Sequence, residues 1–594
     1  MTKTIRIGGA SGFWGDSGIA APQLIKGGDL DYLVFDYLAE ITMSIMARSR
    51  AKDPNGGFAH DFVGLIANHL DAIVEQKIKV VSNAGGVNPL ACAKAMEARI
   101  AAAGHNLKVA VVLGDDLLDR ADELKASGVK DMFSGAAFPD APWSMNAYLG
   151  GRPIAAALDA GADIVITGRS VDSAVTLGAC MHAFGWSETD LDKLAAGSLC
   201  GHILECGAQA TGGLHTDWEK TGDWANIGYP VAEVFPDGSF VVEKPDGTGG
   251  LVSFGTVAEQ LVYEIGDPGA YLLPDVTCDF TGVKIEEVGK DKVRVSGAKG
   301  LPPTDTYKVS ATYADGHRVG MYLSLGGIDA ARKAQAVGEA VLRRCNGILA
   351  RQNQPAYTET SLEVLGSEAA YGPHSRARDT REVILKLAAK HPDAKALELL
   401  IRELTSSGTS MSPGISGMGG NRPKVAPVVR LFSFLVDKQK VSIEIEVAGD
   451  RRSVPGAASG GFNPKTDAPR PDVPAAPSAP AGSPTVPLVK LAYGRSGDKG
   501  NNANIGIIAR KPEYLPAIRA ALTAEAVAGW FDYYLEGPVE RFELPGIGGL
   551  NFLLHDVLGG GGIASLRNDP QGKMYAQILL DFPVPVIFDP DTVQ

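Results

Sequence analysis

The chain has 594 residues, enough at roughly 100 to 200 per domain for three to five domains that each bury their own core. Apolar residues at 45% and charged residues at 21% exclude a disordered low-complexity chain, and a net charge of -13 argues against partners such as nucleic acid or an anionic membrane surface. Six cysteines (Cys92, Cys180, Cys200, Cys206, Cys278, Cys345) lack C-x-x-C spacing, Met1 to Arg6 do not open a secretory signal, and no apolar run approaches the roughly 18 residues of a membrane span, so a cytoplasmic chain with free thiols is expected.

Residues 1–216 read as an α/β domain. Strands are predicted at Ile5 to Gly8, Tyr32 to Asp36, Ile78 to Ser82, Lys108 to Leu113 and Asp163 to Thr167, with helices at His60 to Gln76 and Pro89 to Ala103. "KVAVVL" and "DIVIT" are continuous apolar runs, the mark of strands covered on both faces, so a mainly parallel, open, doubly wound sheet is expected, with ligand loops at its carboxyl edge. Residues 217–448 change to alternating segments divided by Asp-Gly and Gly-Lys turns, followed by a helix from Ile328 to Leu349 and another around Arg381 to Thr405, an α+β middle region. Residues 449–486 are rich in Pro, Ala, Ser and Gly, which fill no core and favour an extended linker. Residues 487–594 then predict strands Leu488 to Tyr493, Asn504 to Ile508, Val539 to Glu543 and Met574 to Leu580 around a helix Tyr514 to Ala528, which fits a small ferredoxin-like α/β sandwich.

The chemistry-bearing residues fall in loops. Gly is 72 of the 594 residues, well above a typical share of roughly 7%, and the excess follows predicted strands, where only Gly lets backbone approach a ligand closely. "GGASGFWGDSGIA" presents Ser11, Asp16 and Ser17 at a strand end; it lacks G-x-G-x-x-G, and Asp36 would be the acidic residue for a ribose hydroxyl if a nicotinamide bound there. "SNAGGVNP" places Asn83, Gly85, Gly86 and Asn88 before a helix whose free N–H groups attract anions, and "TGRSVDSA" places Arg169, Asp172 and Ser173 at the corresponding point. In "CGHILECGAQATGG", Cys200, His202, Glu205, Cys206 and Gln209 lack the paired spacing of a metal site, with His182 and His215 the nearest further histidines. Glu205, beside apolar Ile203 and Leu204, is a candidate general base with a raised pKa. The small domain carries "YGRSGDKGNNANIG" and "LGGGGIASLRNDPQGK": Arg495, Lys499, Arg567 and Lys573 suit a carboxylate or phosphate, Asp498 and Asp569 would orient them or act as acid and base, and Asn504 lies in the first string.

On these strings, together with "FDYLAEITMSIMARSR", "DIVITGRSVDSA" and "SLRNDPQGK", the chain resembles the acyclic terpene utilisation protein AtuA family over nearly its full length. The resemblance implies a large AtuA domain followed by a ferredoxin-fold domain, and a place in the bacterial breakdown of citronellol, geraniol and similar branched acids through CoA thioesters, alongside biotin carboxylases and enoyl-CoA hydratases. It carries no catalytic residues over. Three functions stay open: a hydratase or lyase acting on a branched acyl-CoA or carboxylic acid, with catalytic Asp16, Asp172 or Glu205 and Gly85/Gly86 N–H groups holding an enolate; a non-catalytic binding or assembly subunit for an acyl-CoA carboxylase; and a nicotinamide-dependent oxidoreductase. No metal or separate cofactor is expected, CoA being part of the substrate, and a homo-oligomer is. The linker would let the small domain close over strand-end loops of its own or a neighbouring chain.

Overall fold

The computed structural model describes residues 3–418, 423–475, 479–562 and 564–588. Its largest sheet has eleven strands, and its centre is built from the apolar runs of the first 170 residues. Strands β1 (Ile5–Gly9), β2 (Tyr32–Phe35), β3 (Lys79–Ser82) and β4 (Val109–Leu113) are joined after β5 (Ser144–Ala147) by β6 (Ile164–Thr167), in the parallel order β1-β2-β3-β6-β4. Helices cover both faces. Ala20–Gly27, His60–Ala67, Leu70–Gln76 and Pro89–Ala102 pack on one side through Leu24, Phe62, Ile73 and Met96, while Arg152–Asp159, Ala174–Phe184 and Leu191–Leu204 pack on the other through Ile154, Leu177 and Ile203. The helix expected over His60 to Gln76 breaks at Asn68 and His69, where His69 leaves helical geometry.

The sheet is open and mixed. Antiparallel strands from residues beyond 217 extend it past both edges: β7 (Val231–Val234), β8 (Phe240–Glu243), Lys292–Ser296 and Lys284–Gly289 beyond β1, and Ile443–Val447 and Asp450–Val454 beyond β4. The first residues read as linker are therefore a strand of the main sheet. More of that segment is tied down: Lys438 Nζ donates to Ala458 O (2.7 Å), Pro274 O (2.7 Å) and Thr304 O (2.5 Å), and Arg470 pairs with Asp267 at 2.7 Å.

A second sheet is organised by the 21-residue strand Thr306–Gly326, which pairs with β5, Glu382–His391, Ile415–Met418 and Ala426–Asp437, and which carries Ala330–Arg351 and Ala394–Ser410 on one face. The helix predicted around Arg381 to Thr405 is corrected here. Val383, Leu385, Leu387 and Ala389 are buried at a period of two, which is strand geometry, and the helix begins only after Pro392, where Asp393 caps it by accepting from Lys395 N (2.9 Å).

The C-terminal domain has four antiparallel strands in the order Ala492–Lys499, Asn502–Ala509, Gly549–Leu554, Val539–Leu544, with helices Leu515–Ala521, Ala524–Trp530 and Tyr575–Leu579. Met574 to Leu580, expected as the last strand, contains a helix: Tyr575, Ala576, Ile578 and Leu579 bury one helical face, and Asp569 accepts the N–H groups of Lys573 and Met574 just ahead of it. Starting at Asn502 and closing with Ala492–Lys499, the elements run β-α-β-β-α-β. This is the ferredoxin-like plan with its last strand moved to the front of the chain. Among the described residues no helix is long and apolar enough to cross a membrane.

Candidate active site

The small domain's sheet lies against the end of the helix Phe254–Leu261, and the fit depends on missing side chains. A Cβ at Gly506 would stand 2.2 Å from Val262 Cγ2, and one at Gly497 2.6 Å from Glu264 Cγ. These glycines of the "GRSGDKGNNANIG" string admit another part of the protein, not a ligand. Asn504 donates to Val262 O (2.6 Å) and to Asn551 Oδ1 (2.9 Å), and Asn551 donates to Ile265 O (2.9 Å) and Gly266 O (2.6 Å), so Asn504 is a docking residue. Arg510 and Asp217 make a two-pronged pair across the same seam at 2.7 and 2.6 Å.

Docking brings the hairpin Ala492–Asn504 onto the carboxyl edge of the main sheet. Arg495 donates to Gln209 Oε1 (2.5 Å) and lies 4.6 Å over the Tyr263 ring. Lys573 donates to Tyr263 OH and to Glu264 Oε1 (2.9 Å) and sits 3.6 Å from Asp498; Lys499 is 3.8 Å from Glu264. Burial works to raise the Glu264 carboxyl, but Lys573 and Lys499 hold it below its ordinary range. Asp498 goes the other way: burial, then Glu264, push it up to about 7. Burial disfavours charge on Lys499, yet Glu264, Asp172, Glu205 and Asp498 together hold it firmly protonated. One lysine of the small domain thus feels carboxylates from both halves of the chain.

On the large unit's side, Arg169 is the organiser. It is buried, donates to Leu38 O (2.8 Å), Ser170 O (3.1 Å) and Asp172 Oδ1 (2.8 Å), and stacks 4.3 Å over Tyr148. Its Nε has no hydrogen-bond partner. Burial opposes its charge, but Tyr148, Asp172, Glu40 and Asp36 outweigh that. Glu40 accepts from Tyr148 OH; burial would raise it, and Lys308 and Arg169 pull it down to about 2. A crevice of about 10 Å³, room for no more than one water, lies against Arg169, lined also by Glu40, Ser144, Asn146, Tyr148 and Thr312. A larger hollow of about 190 Å³, lined by Asp192, Leu199, Phe240 and Lys299, lies apart from these loops, with Lys299 and Asp192 paired at 2.8 Å on its rim.

Glu205 is buried 3.0 Å from His202; burial raises its carboxyl, and His202 partly offsets this. Asp172 is the open carboxylate of the set, with its side chain 40% exposed. Asp36 is buried, accepts from Asn83, and is held well above the carboxylate range by burial and then Asp172. Asn83 is spent on Asp36 and on Tyr37 N (2.8 Å).

Several candidates turn out to hold the scaffold. Gly85 N donates to Thr167 O (3.1 Å) and Gly86 N to Asn83 O (3.2 Å), so neither is free to receive an enolate oxygen. Asp16 closes its own loop by accepting from Gly12 N (2.9 Å) and Ser17 N (2.6 Å); Ser11 donates to Asp36 O (3.0 Å); Asn88 donates to Pro54 O (2.9 Å) and Gly56 O (2.8 Å). Ser173 is buried against Gly201, where a Cβ would come within 2.6 Å of Ser173 O. Arg567 turns away from Lys573, donating to Val557 O and stacking 4.3 Å over Tyr534, while Asp569 caps the turn before the last helix. Burial and Glu205 push the Cys206 thiol well up, which disfavours a thiolate nucleophile. Among the described residues no three His, Cys, Asp or Glu side chains converge as a metal site. Tyr263, Glu264, Glu40, Tyr148 and Lys308 escaped sequence reasoning. The one signal for Glu264 was a carboxylate interrupting the apolar run Leu261 to Ile265 ahead of Gly-Asp-Pro.

Fold and site together define a mixed α/β protein with large sheets and a C-terminal ferredoxin-like domain, with a partly covered ion cluster where the two meet. The chain belongs to the AtuA family: the family model described as acyclic terpene utilisation family protein AtuA matches residues 5–447, and the AtuA ferredoxin-like domain matches residues 486–585. No curated protein and no solved structure matches the chain at a significant level.

Proposed function

We propose that the protein is an enzyme of acyclic terpenoid acid breakdown that acts on a branched acyl-CoA, adding or removing water or splitting a bond next to the thioester. The observation that carries this reading is the gathering of a buried carboxyl, Glu205, and a partly covered one, Asp498, around Lys499 and Lys573 at the seam between the domains. Proton transfer at neutral pH is best served by groups that titrate near 7, and burial puts Asp498 there. Cations held in place by fixed partners suit the negative charge that develops on a thioester oxygen as an enolate forms. Asp172, open to solvent beside Arg169, is the third acid–base candidate. CoA enters as part of the substrate and no further cofactor is invoked.

The test is incubation of the purified full chain with geranyl-CoA and its hydrated forms, read by mass spectrometry. Conversion is expected, with kcat lowered by about 100-fold or more in Asp498→Asn and Glu205→Gln while KM moves only a few-fold. Binding without turnover, with carboxylase subunits co-purifying, would replace this reading by an assembly role. An absorbance change that depends on NADH would replace it by an oxidoreductase.

A further inference from the structure

His202 and Glu205 stand one helical turn apart at the end of Leu191–Leu204, with 1% and 9% of their surfaces exposed. Their hydrogen bonding leaves little freedom. His202 Nε2 lies 3.2 Å from Leu261 O, and a carbonyl only accepts, so Nε2 carries the hydrogen. The other ring nitrogen, Nδ1, is buried, lies 3.0 Å from Glu205 Oε1, and has no other partner. The contact is off the line of an ideal hydrogen bond, but it sets an ionisable oxygen 3.0 Å from a buried ring nitrogen. If Nδ1 were bare and Glu205 ionised, two lone pairs would face each other in a low dielectric, which costs free energy on both sides. If both were protonated, a buried imidazolium would face a neutral carboxyl and lose its counter-charge.

We infer that His202 and Glu205 hold one proton between them in the resting protein, and that His202 is a positioning residue that keeps Glu205 loaded as the acid of the seam. The first half stands on the close approach and burial of the two groups; the second rests on the acyl-CoA reading above. The ring is held in place from two sides, since Gln260 Nε2 donates to His202 O (3.1 Å) and the Tyr271 ring packs 5.8 Å away. The surroundings favour retention of the proton. Burial disfavours charge on the imidazole, yet Glu205, with help from Glu264 and against Lys499, holds it more basic than usual. Glu205 is kept from ionising by burial and Asp172, with His202 and Lys499 opposing; Asp36, Cys206 and Tyr271 are the other titratable groups that sense it. In a hydration the proton balance closes: Asp498 takes a proton from the attacking water, whose oxygen bonds to the β-carbon, and the pair gives up its proton through the Glu205 carboxyl to the α-carbon of the enolate. Exchange with solvent then resets both.

The experiment needs no substrate for its first arm. The full chain, labelled with carbon-13 at histidine Cε1, is examined at neutral pH by NMR for the protonation of His202 and by infrared spectroscopy for the protonated carboxyl band of Glu205, the signals being assigned by their loss in His202→Asn and Glu205→Gln. One and only one of the two groups is expected to be protonated beyond the Nε2–H form. A neutral ring beside an ionised carboxylate overturns the inference, and so does a protonated ring beside a protonated carboxyl. Should His202→Asn not fold, the ring signal is assigned by its shift in Glu205→Gln. In the second arm, His202→Gln is expected to lower kcat on an acyl-CoA substrate by about tenfold or more and to move a limb of the kcat–pH profile, with KM within about twofold. A shared proton with an unmoved profile overturns the loading role, whereas absence of any turnover in the wild-type chain bears on the acyl-CoA reading and leaves the first arm intact.

Discussion

Asp498 titrates at about 7 in the folded chain against 3.8 for a free side chain, because burial and Glu264 disfavour its charge more than Lys573 and Lys499 favour it. The folded state therefore binds this proton more tightly than the unfolded state. Its stabilising contribution is complete below about pH 3.8 and is lost as pH rises towards about 7. In Asp498→Asn nothing titrates there, so the stability of the variant relative to wild type should climb across that interval and level off above it, as read by urea unfolding at stepped pH. A flat difference would mean that Asp498 is ionised throughout. The same residue marks how far the sequence could be followed. Arg495, Asp498, Lys499 and Lys573 were legible because charge inside a glycine-rich string has few structural excuses. Their partners Tyr263 and Glu264 were not, because residues some 230 or more positions away become neighbours only through docking, which leaves no local pattern. Gly497 lay in a glycine-rich loop read as open to a ligand and Gly506 inside a predicted strand, and what approaches them is Glu264 and Val262.

At the level of elements, that close approach can be tested without touching a charge. Gly506 has ordinary strand geometry, so Gly506→Ala strains no backbone; its methyl meets Val262 at 2.2 Å and should cost about 1–3 kcal/mol of docking, seen as a lower thermal midpoint and separate unfolding of the small domain. Gly529→Ala, in the helix Ala524–Trp530 with open space around it, is the control and should be neutral or stabilising by up to about 1 kcal/mol. The parallel centre of the main sheet was readable because β4 and β6 are continuous apolar runs. Glu382–His391 and Tyr575–Leu579 were misread for opposite reasons. The first has strand alternation in residues of good helix propensity, and the second is a five-residue helix too short to show a period.

For the whole molecule, the question is whether the small domain is tethered or seated. The contacts of Asn504, Asn551, Arg510 and Lys573 make it seated, and Lys386 adds another by donating to Leu566 O at 2.8 Å. A protease site inserted at exposed Gly482 should therefore yield two fragments that still elute together at micromolar concentration. Arg510→Ala in the cut protein should weaken their association by about 2 kcal/mol, less than the roughly 3–5 kcal/mol of a fully buried pair because each partner keeps 16% of its side chain exposed. Free separation of the wild-type fragments would show that the linker alone keeps the domain in place. The segment before Gly482 could be read from composition as poor in core residues, but Asp450–Val454 joins the main sheet through backbone pairing, which composition does not reveal. The permuted order of the small domain carries a consequence in time. During synthesis the strand Ala492–Lys499 leaves the ribosome ahead of every α-helix of its own domain, when the large unit is already complete. Arg495 and Lys499 are thus delivered first, onto a finished receiving surface, and the rest of the domain, Lys573 included, is assembled against a strand already at its destination.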